Sequence, residues 1–163
     1  MPTAAKDYGG MLAAVLNVLQ SDAALTSQLA SFAPGGGSPS QANSIFSGEP
    51  PKSRAFPCIT LWDISVGAAL KRQHDAPTKY AAMSLQIDVW GASDALRPIG
   101  WEIDNLLEPA ARGGAIDTAE WQFDDIDTSG DWRMIRVPQQ WLEGSEAVWQ
   151  YSKVFRIRAA SKN

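Results

Sequence analysis

With 163 residues and 45% apolar content, the chain can bury one substantial core, so a single domain over residues 1–163 is expected. Fourteen basic against eighteen acidic side chains leave a formal net charge of −4, which disfavours generic binding to a nucleic-acid backbone, because phosphate contacts need clustered Lys and Arg. No run of about 18 apolar residues exists and positions 1–6 lack the apolar centre of a signal peptide, so a soluble protein made in a cytoplasm, with no membrane partner, is the expectation.

Met11, Leu12, Val15, Leu16 and Leu19 recur at helical spacing and predict a first helix over residues 7–20. Ser21 or Asp22 then caps a short second helix carrying Leu25, Leu29 and Phe32. Residues 33–44, rich in Pro, Gly and Ser, show no apolar period and read as a flexible surface loop. A short strand follows at Ile45-Phe46, and Pro50-Pro51 separates it from a second strand over 56–65, in which Ile59, Leu61 and Asp63 alternate with Cys58, Thr60 and Trp62. Cys58 is the single cysteine, which excludes an intrachain disulfide, and its setting reads as a small buried hydrophobe.

The segment from Tyr80 to Asp94 is the clearest element. Met83, Leu85, Ile87 and Val89 alternate with Ser84, Gln86 and Asp88, the period of a half-buried strand. It stops at Trp90-Gly91, and Leu96, Ile99, Ile103, Leu106 and Leu107 then fall on one helical face. With Asp94 or Ala95 as cap, Pro98 sits near the first turn, and the helix is expected to end near Pro109. The polar stretch 66–78 between the two long strands predicts an exposed β-hairpin arm. Residues 118–128, 131–138 and 148–159 read as three further strands; in the last, Trp149, Tyr151, Phe155 and Ile157 share a face interrupted by Lys153.

The fold class that follows is α/β (α+β): an antiparallel or mixed β-sheet with its helices packed on one face, and a long β-hairpin arm. Such a sheet leaves a face and its edges to be covered, so oligomerisation is expected.

Catalytic and cofactor chemistry finds little footing. Asp125 and Asp127 point the same way on a strand, but the cluster with Asp124 lacks the Gly and terminal Glu of a calcium loop and reads as a solvated sheet end. His74, the one histidine, lies in the polar arm, away from the packed setting that orients a catalytic base. Gly35-Gly36-Gly37 follows a helix and lacks the Lys-Ser/Thr of a phosphate loop. No enzyme activity, cofactor or metal is therefore expected. Of the seven tryptophans, Trp62, Trp90 and Trp121 are read as filling space between sheet and helices. Trp132, Trp141 and Trp149 near Glu143 and Glu146 suit a protein interface, with a sugar groove as the alternative. Lys71-Arg72 with Lys79 is the one local basic cluster, too sparse for nucleic acid and suited to docking on a protein, while Arg156 and Arg158 alternate on the last strand and face solvent or a neighbouring subunit.

The order of elements, with Leu16 and Leu19, Asp22-Ala-Ala-Leu25, Ile45-Phe46, Pro57-Cys-Ile-Thr-Leu61, Val89-Trp90 and Leu106-Leu107, resembles the tail-completion or tail terminator family of long-tailed, siphovirus-like phages and related gene transfer agents over residues 11–159. The loop from Pro34 to Pro39 and the stretch between Leu142 and Val148 depart from that pattern. The resemblance implies a structural virion protein of the neck, forming a hexameric ring on the head-proximal end of the tail tube. Its implied partners are further copies of itself, the tail tube protein and a head-side connector or stopper, with DNA passing through the lumen without specific binding. Lys71, Arg72, His74 and Asp75 are the candidates for the tube contact, and Trp141, Trp149 and Arg156 for contacts between subunits. A connector or stopper role is the first alternative, and a small carbohydrate-binding or hydrolytic domain the second.

Overall fold

A computed structural model describes residues 9–69, 80–138 and 147–162. In chain order it contains α1 (Gly9–Ser21), α2 (Ala23–Thr26), a 3-10 turn (Ala42–Ser44), β1 (Ile45–Ser47), β2 (Cys58–Ala69), β3 (Tyr80–Gly91), α3 (Ser93–Arg112), β4 (Trp121–Asp127), β5 (Arg133–Arg136) and β6 (Trp149–Ser161). The strands form one mixed sheet in the order β1-β2-β3-β6-β4, with β5 also paired to β6. Only β1 and β2 run parallel; every other pair is antiparallel.

Period-2 alternation puts Ile59 and Leu61 of β2, Met83, Leu85, Ile87 and Val89 of β3, and Phe155, Ile157 and Ala159 of β6 on one buried face. Met11, Val15 and Leu19 of α1, each one turn apart, and Leu96, Ile99, Ile103 and Leu107 of α3 close over it, so the core is a single layer between sheet and helices. Gly100 lets α3 ride close to the sheet: a Cβ there would lie 2.7 Å from Cε1 of Tyr151 on β6.

The expected helices and strands form, with corrections at their ends; of the expected arm 66–78, residues 66–69 belong to β2 and the rest lies outside the described residues. The second helix is four residues long, capped by Asp22, whose carboxylate accepts from the Leu25 amide at 2.7 Å. It does not reach Phe32, because Ala30 donates to the Pro57 carbonyl and Phe32 pairs with Ser40, drawing the chain out of helix. The loop that follows is tied to this turn: the Gln41 amide donates to the carbonyls of Ser27 and Leu29, and the Asn43 amide to those of Phe32 and Ser38. Helix α3 begins after Ala92, which places Pro98 in its second turn, and it runs through Pro109 to Arg112. Both prolines face solvent, as do Asp94 and Asn105, whose carbonyls lose their helical donors and stay open to water. Buried Leu107 and Ala111 hold the last turn to the core.

The two long strands pair from Cys58↔Trp90 to Ala69↔Tyr80, with a bulge between Asp63 and Ser65. That bulge leaves Ile64 55% exposed and takes Asp63 out of the core. Trp121 is buried in the core, as expected. Trp62 and Trp90 are not between sheet and helices: their register places them on the opposite face, since Val89 and Ile87 hold the inward positions of β3.

Candidate assembly surface

Among the described residues no helix covers the second face of the sheet. Rows of cross-strand neighbours build it: Trp62, Gln86 and Val154 in one row, Thr60, Asp88, Ser152 and Arg133 in the next. The Trp62 and Trp90 indoles both donate to the Thr60 hydroxyl, at 3.1 and 2.9 Å, which locks two half-buried rings over a fully buried threonine. The Gln86 amide reaches both oxygens of Asp88, at 2.9 and 3.0 Å, and Asp88 is buried although it lies on this open face.

Nearer the edge, register sets acids of β4 opposite arginines of β6. Asp125 faces Arg158 at 3.8 Å and Asp127 stands opposite Arg156. A bulge between Phe123 and Asp125 turns both acids to this side. Hydrogen bonds from the Ser129 hydroxyl and amide, with smaller help from Arg156 and Lys153, hold the Asp127 carboxyl below the usual carboxylate range. The acidic cluster is thus half of a cross-strand charge ladder, and no group of three metal-ligating side chains forms among the described residues.

Strands β4 and β5 pair with different stretches of β6, Arg156–Ser161 and Trp149–Ser152, and leave a gap at residues 153–155. A groove of about 670 Å³ opens there, lined by Ser152, Val154, Arg133, Ile135, Asp131 and Arg156 among others. Lys153 points the other way, into the helical layer, where its Nζ meets Asp104 Oδ1 at 2.8 Å and donates to the Thr128 carbonyl. The second Asp104 oxygen accepts from the Trp132 indole at 2.9 Å, and that ring stacks on Tyr151 at 4.8 Å. The lysine therefore closes the gap in the ladder by holding the β4–β5 turn directly. Its side chain is 2% exposed, so this is a buried ion pair.

Of the candidate contact residues, Lys71, Arg72, His74, Asp75 and Trp141 lie outside the described residues. Arg156 is exposed on the uncovered face, whereas Trp149, seven positions back on β6, lies on the helical side and packs partly buried against the core. The two do not meet. Trp132 lies on that same helical side, stacked on Tyr151 and donating to Asp104. Cys58 is buried, and burial pushes its thiol up to about 12 against a weaker opposing pull from Arg54, so it is no nucleophile at neutral pH. No described helix is long and apolar enough to cross a membrane.

The buried Lys153 pair was signalled in the sequence only as an interruption of an apolar face; its partner Asp104, on another element, had no local signal. Ile135 and Val154, exposed on the uncovered face, and Ile64, exposed at the β2 bulge, had none either, because each depends on a bulge or on which strand pairs with β6.

A chain of the structure titled "Virion of native gene transfer agent (GTA) particle" shares this fold at a TM-score of 0.64, with 15% identity over 93% of this chain and 96% of that one. No curated protein matches the sequence. A sequence model of the family described as tail completion protein gp17 matches residues 13–141, most of the chain. The chain belongs to that family of tail completion proteins, structural proteins of the virion.

Proposed function

We propose that this protein caps the head-proximal end of a phage tail tube as a ring, ends tube growth there and presents the surface to which the head joins. Family membership supports a structural part in tail assembly and no catalytic one. The observation that carries the reading is the uncovered sheet face, where Ile135 and Val154 are 51% and 43% exposed beside Arg156 and Arg133. Exposed apolar side chains rimmed by charge on an open sheet face suit contact with a partner.

Identical copies in heterologous contact close a ring when the rotation between them closes, and weak contacts repeated around it act together. In this reading the ring is a hexamer in the neck of the virion, with a tail tube protein on one side and a head-side connector on the other. Lys71, Arg72, His74 and Asp75 contact the tube, and Trp141, Trp149 and Arg156 contact neighbouring copies. A net charge of −4 suits a lumen through which DNA slides without sticking.

Electron microscopy of particles assembled without this protein tests the reading. Overlong or headless tails are the expected result. Tails of normal length beside DNA-filled heads would contradict it and move the protein to the head-side connector, and fully normal particles would remove it from assembly altogether.

A further inference from the structure

The sheet ends on two different edges. Strand β1 covers only Ile59 to Leu61 of β2, and the Gly48 amide then donates to the Leu61 carbonyl. From Trp62 to Ala69 the outer side of β2 has no partner strand among the described residues. Successive residues of a strand turn their backbone groups to alternate sides. The Leu61 carbonyl points outward, so the next outward groups are those of Asp63; past the bulge, where Ser65 and Gly67 pair with Ser84 and Ala82 of β3, they are those of Val66 and Ala68. At the far end of the sheet β5 has β6 on one side only, and the Val137 amide donates toward that side, to Val148. The outward groups of β5 are therefore those of Met134 and Arg136. An unpaired row of this kind is a template for another strand.

The side chains at the two edges differ in sign. Asp63 is exposed on the β2 edge, next to Ile64, while Arg133 and Arg136 are exposed on β5, on either side of exposed Ile135. Neither Asp63 nor either arginine has an ion-pair partner among the described residues. Two β2 edges would bring Asp63 against Asp63, and two β5 edges would bring arginines together. Unlike edges alone bring opposite charges into contact. Because those edges lie at opposite ends of one sheet, the contact is head-to-tail and repeats from copy to copy.

We infer that the β5 edge of one copy adds to the β2 edge of the next, with Arg133 and Arg136 meeting Asp63 and with Ile135 and Ile64 covered between them, so that the sheet continues from subunit to subunit. Main-chain bonds hold such an added strand and side chains select it. The bulge blunts the β2 edge against an indiscriminate strand, which leaves charge to choose the partner. The inference rests on the ring proposed above and names its contact.

The test uses the full chain, the reversal Asp63→Arg, and the double reversal Arg133→Asp with Arg136→Asp, all at exposed positions and each checked for an unchanged unfolding midpoint. Native mass spectrometry at high micromolar concentration should show species beyond the dimer for the unaltered chain. Each reversal alone sets like charges on both edges and should weaken self-association about 30-fold or more. An equimolar mixture of the two should regain species beyond the dimer, because every edge then meets one of opposite charge on the other variant. On association, hydrogen exchange should slow about tenfold or more at the amides of Val66, Ala68, Met134 and Arg136.

The contact is overturned if the unaltered chain stays monomeric, if either reversal alone associates normally, if the mixture restores nothing, or if those four amides exchange unchanged. Normal self-association by Asp63→Arg with loss of tube capping would assign the β2 edge to the tube protein and overturn it as well. Charge-selected association as expected, beside normal tails in particles lacking the protein, would sink the capping role and leave the contact standing.

Discussion

The two faces of the sheet are built from the same strands yet follow different rules. On the helical side every position of β3 from Met83 to Val89 that points inward is apolar and buried, and the one charge on that side of β6, Lys153, is answered by Asp104. On the other side, cross-strand pairs hold one another: two indoles on one hydroxyl, an amide on a carboxylate, acids of β4 against arginines of β6. The first face needs nothing further. The second is orderly without being covered, which is what a surface preformed for a partner requires.

The sharpest way to break that contrast is to empty the covered face. Phe155→Ala removes a fully buried ring and should cost about 3–5 kcal/mol in denaturant unfolding, whereas Val154→Ala beside it should cost less than about 0.5 kcal/mol. Equal losses at the two positions would dissolve the distinction. The buried ion pair comes next. Asp104→Ala leaves Lys153 charged and enclosed and should cost about 3 kcal/mol, while Lys153→Met leaves a 30% exposed carboxylate that water can serve and should cost about 1 kcal/mol. The reverse order would mean the lysine is not the buried partner.

A smaller effect sharpens the account of how the helix sits on the sheet. Gly100→Ala pushes a methyl into Tyr151 and should destabilise by about 1–3 kcal/mol, with the largest chemical-shift changes at Tyr151 and Trp132. A neutral outcome would show that α3 can lift without cost. The smallest effect belongs to the open face. Asp127 has a depressed carboxyl pKa, so its contribution to stability is complete above the ordinary carboxylate pKa and is lost as pH falls through the lower, folded value. In an NMR titration the Ser129 amide should therefore shift at lower pH than the amides beside ordinary carboxylates; a midpoint in the usual carboxylate range would remove the hydrogen bonds from the account.

What the sequence made legible follows the same division. The alternation Met83-Leu85-Ile87-Val89 and the stripe Leu96-Ile99-Ile103-Leu107 are local patterns that one buried face enforces, and both formed in place. Element ends were less legible because distant groups set them: Ala30 leaves helix for the Pro57 carbonyl, and α3 passes Pro109 because Ala111 has core to bury against. The uncovered face was hardest to read. Trp62 and Trp90 look like core residues by composition, and only their parity with Val89 puts them outside. The contacts proposed for Lys71, Arg72, His74, Asp75 and Trp141 follow from the polar and aromatic character of those residues, which lie outside the described ones.

The central claim is that the uncovered face serves assembly and contributes little to the fold. Capping of purified tail tubes by Arg156→Glu, scored by electron microscopy beside an unfolding measurement on the same preparation, tests it most directly. Capping should be lost while stability stays within about 0.5 kcal/mol of the unaltered protein. A variant that caps as well as the unaltered protein, or that fails only because it unfolds, would contradict the claim.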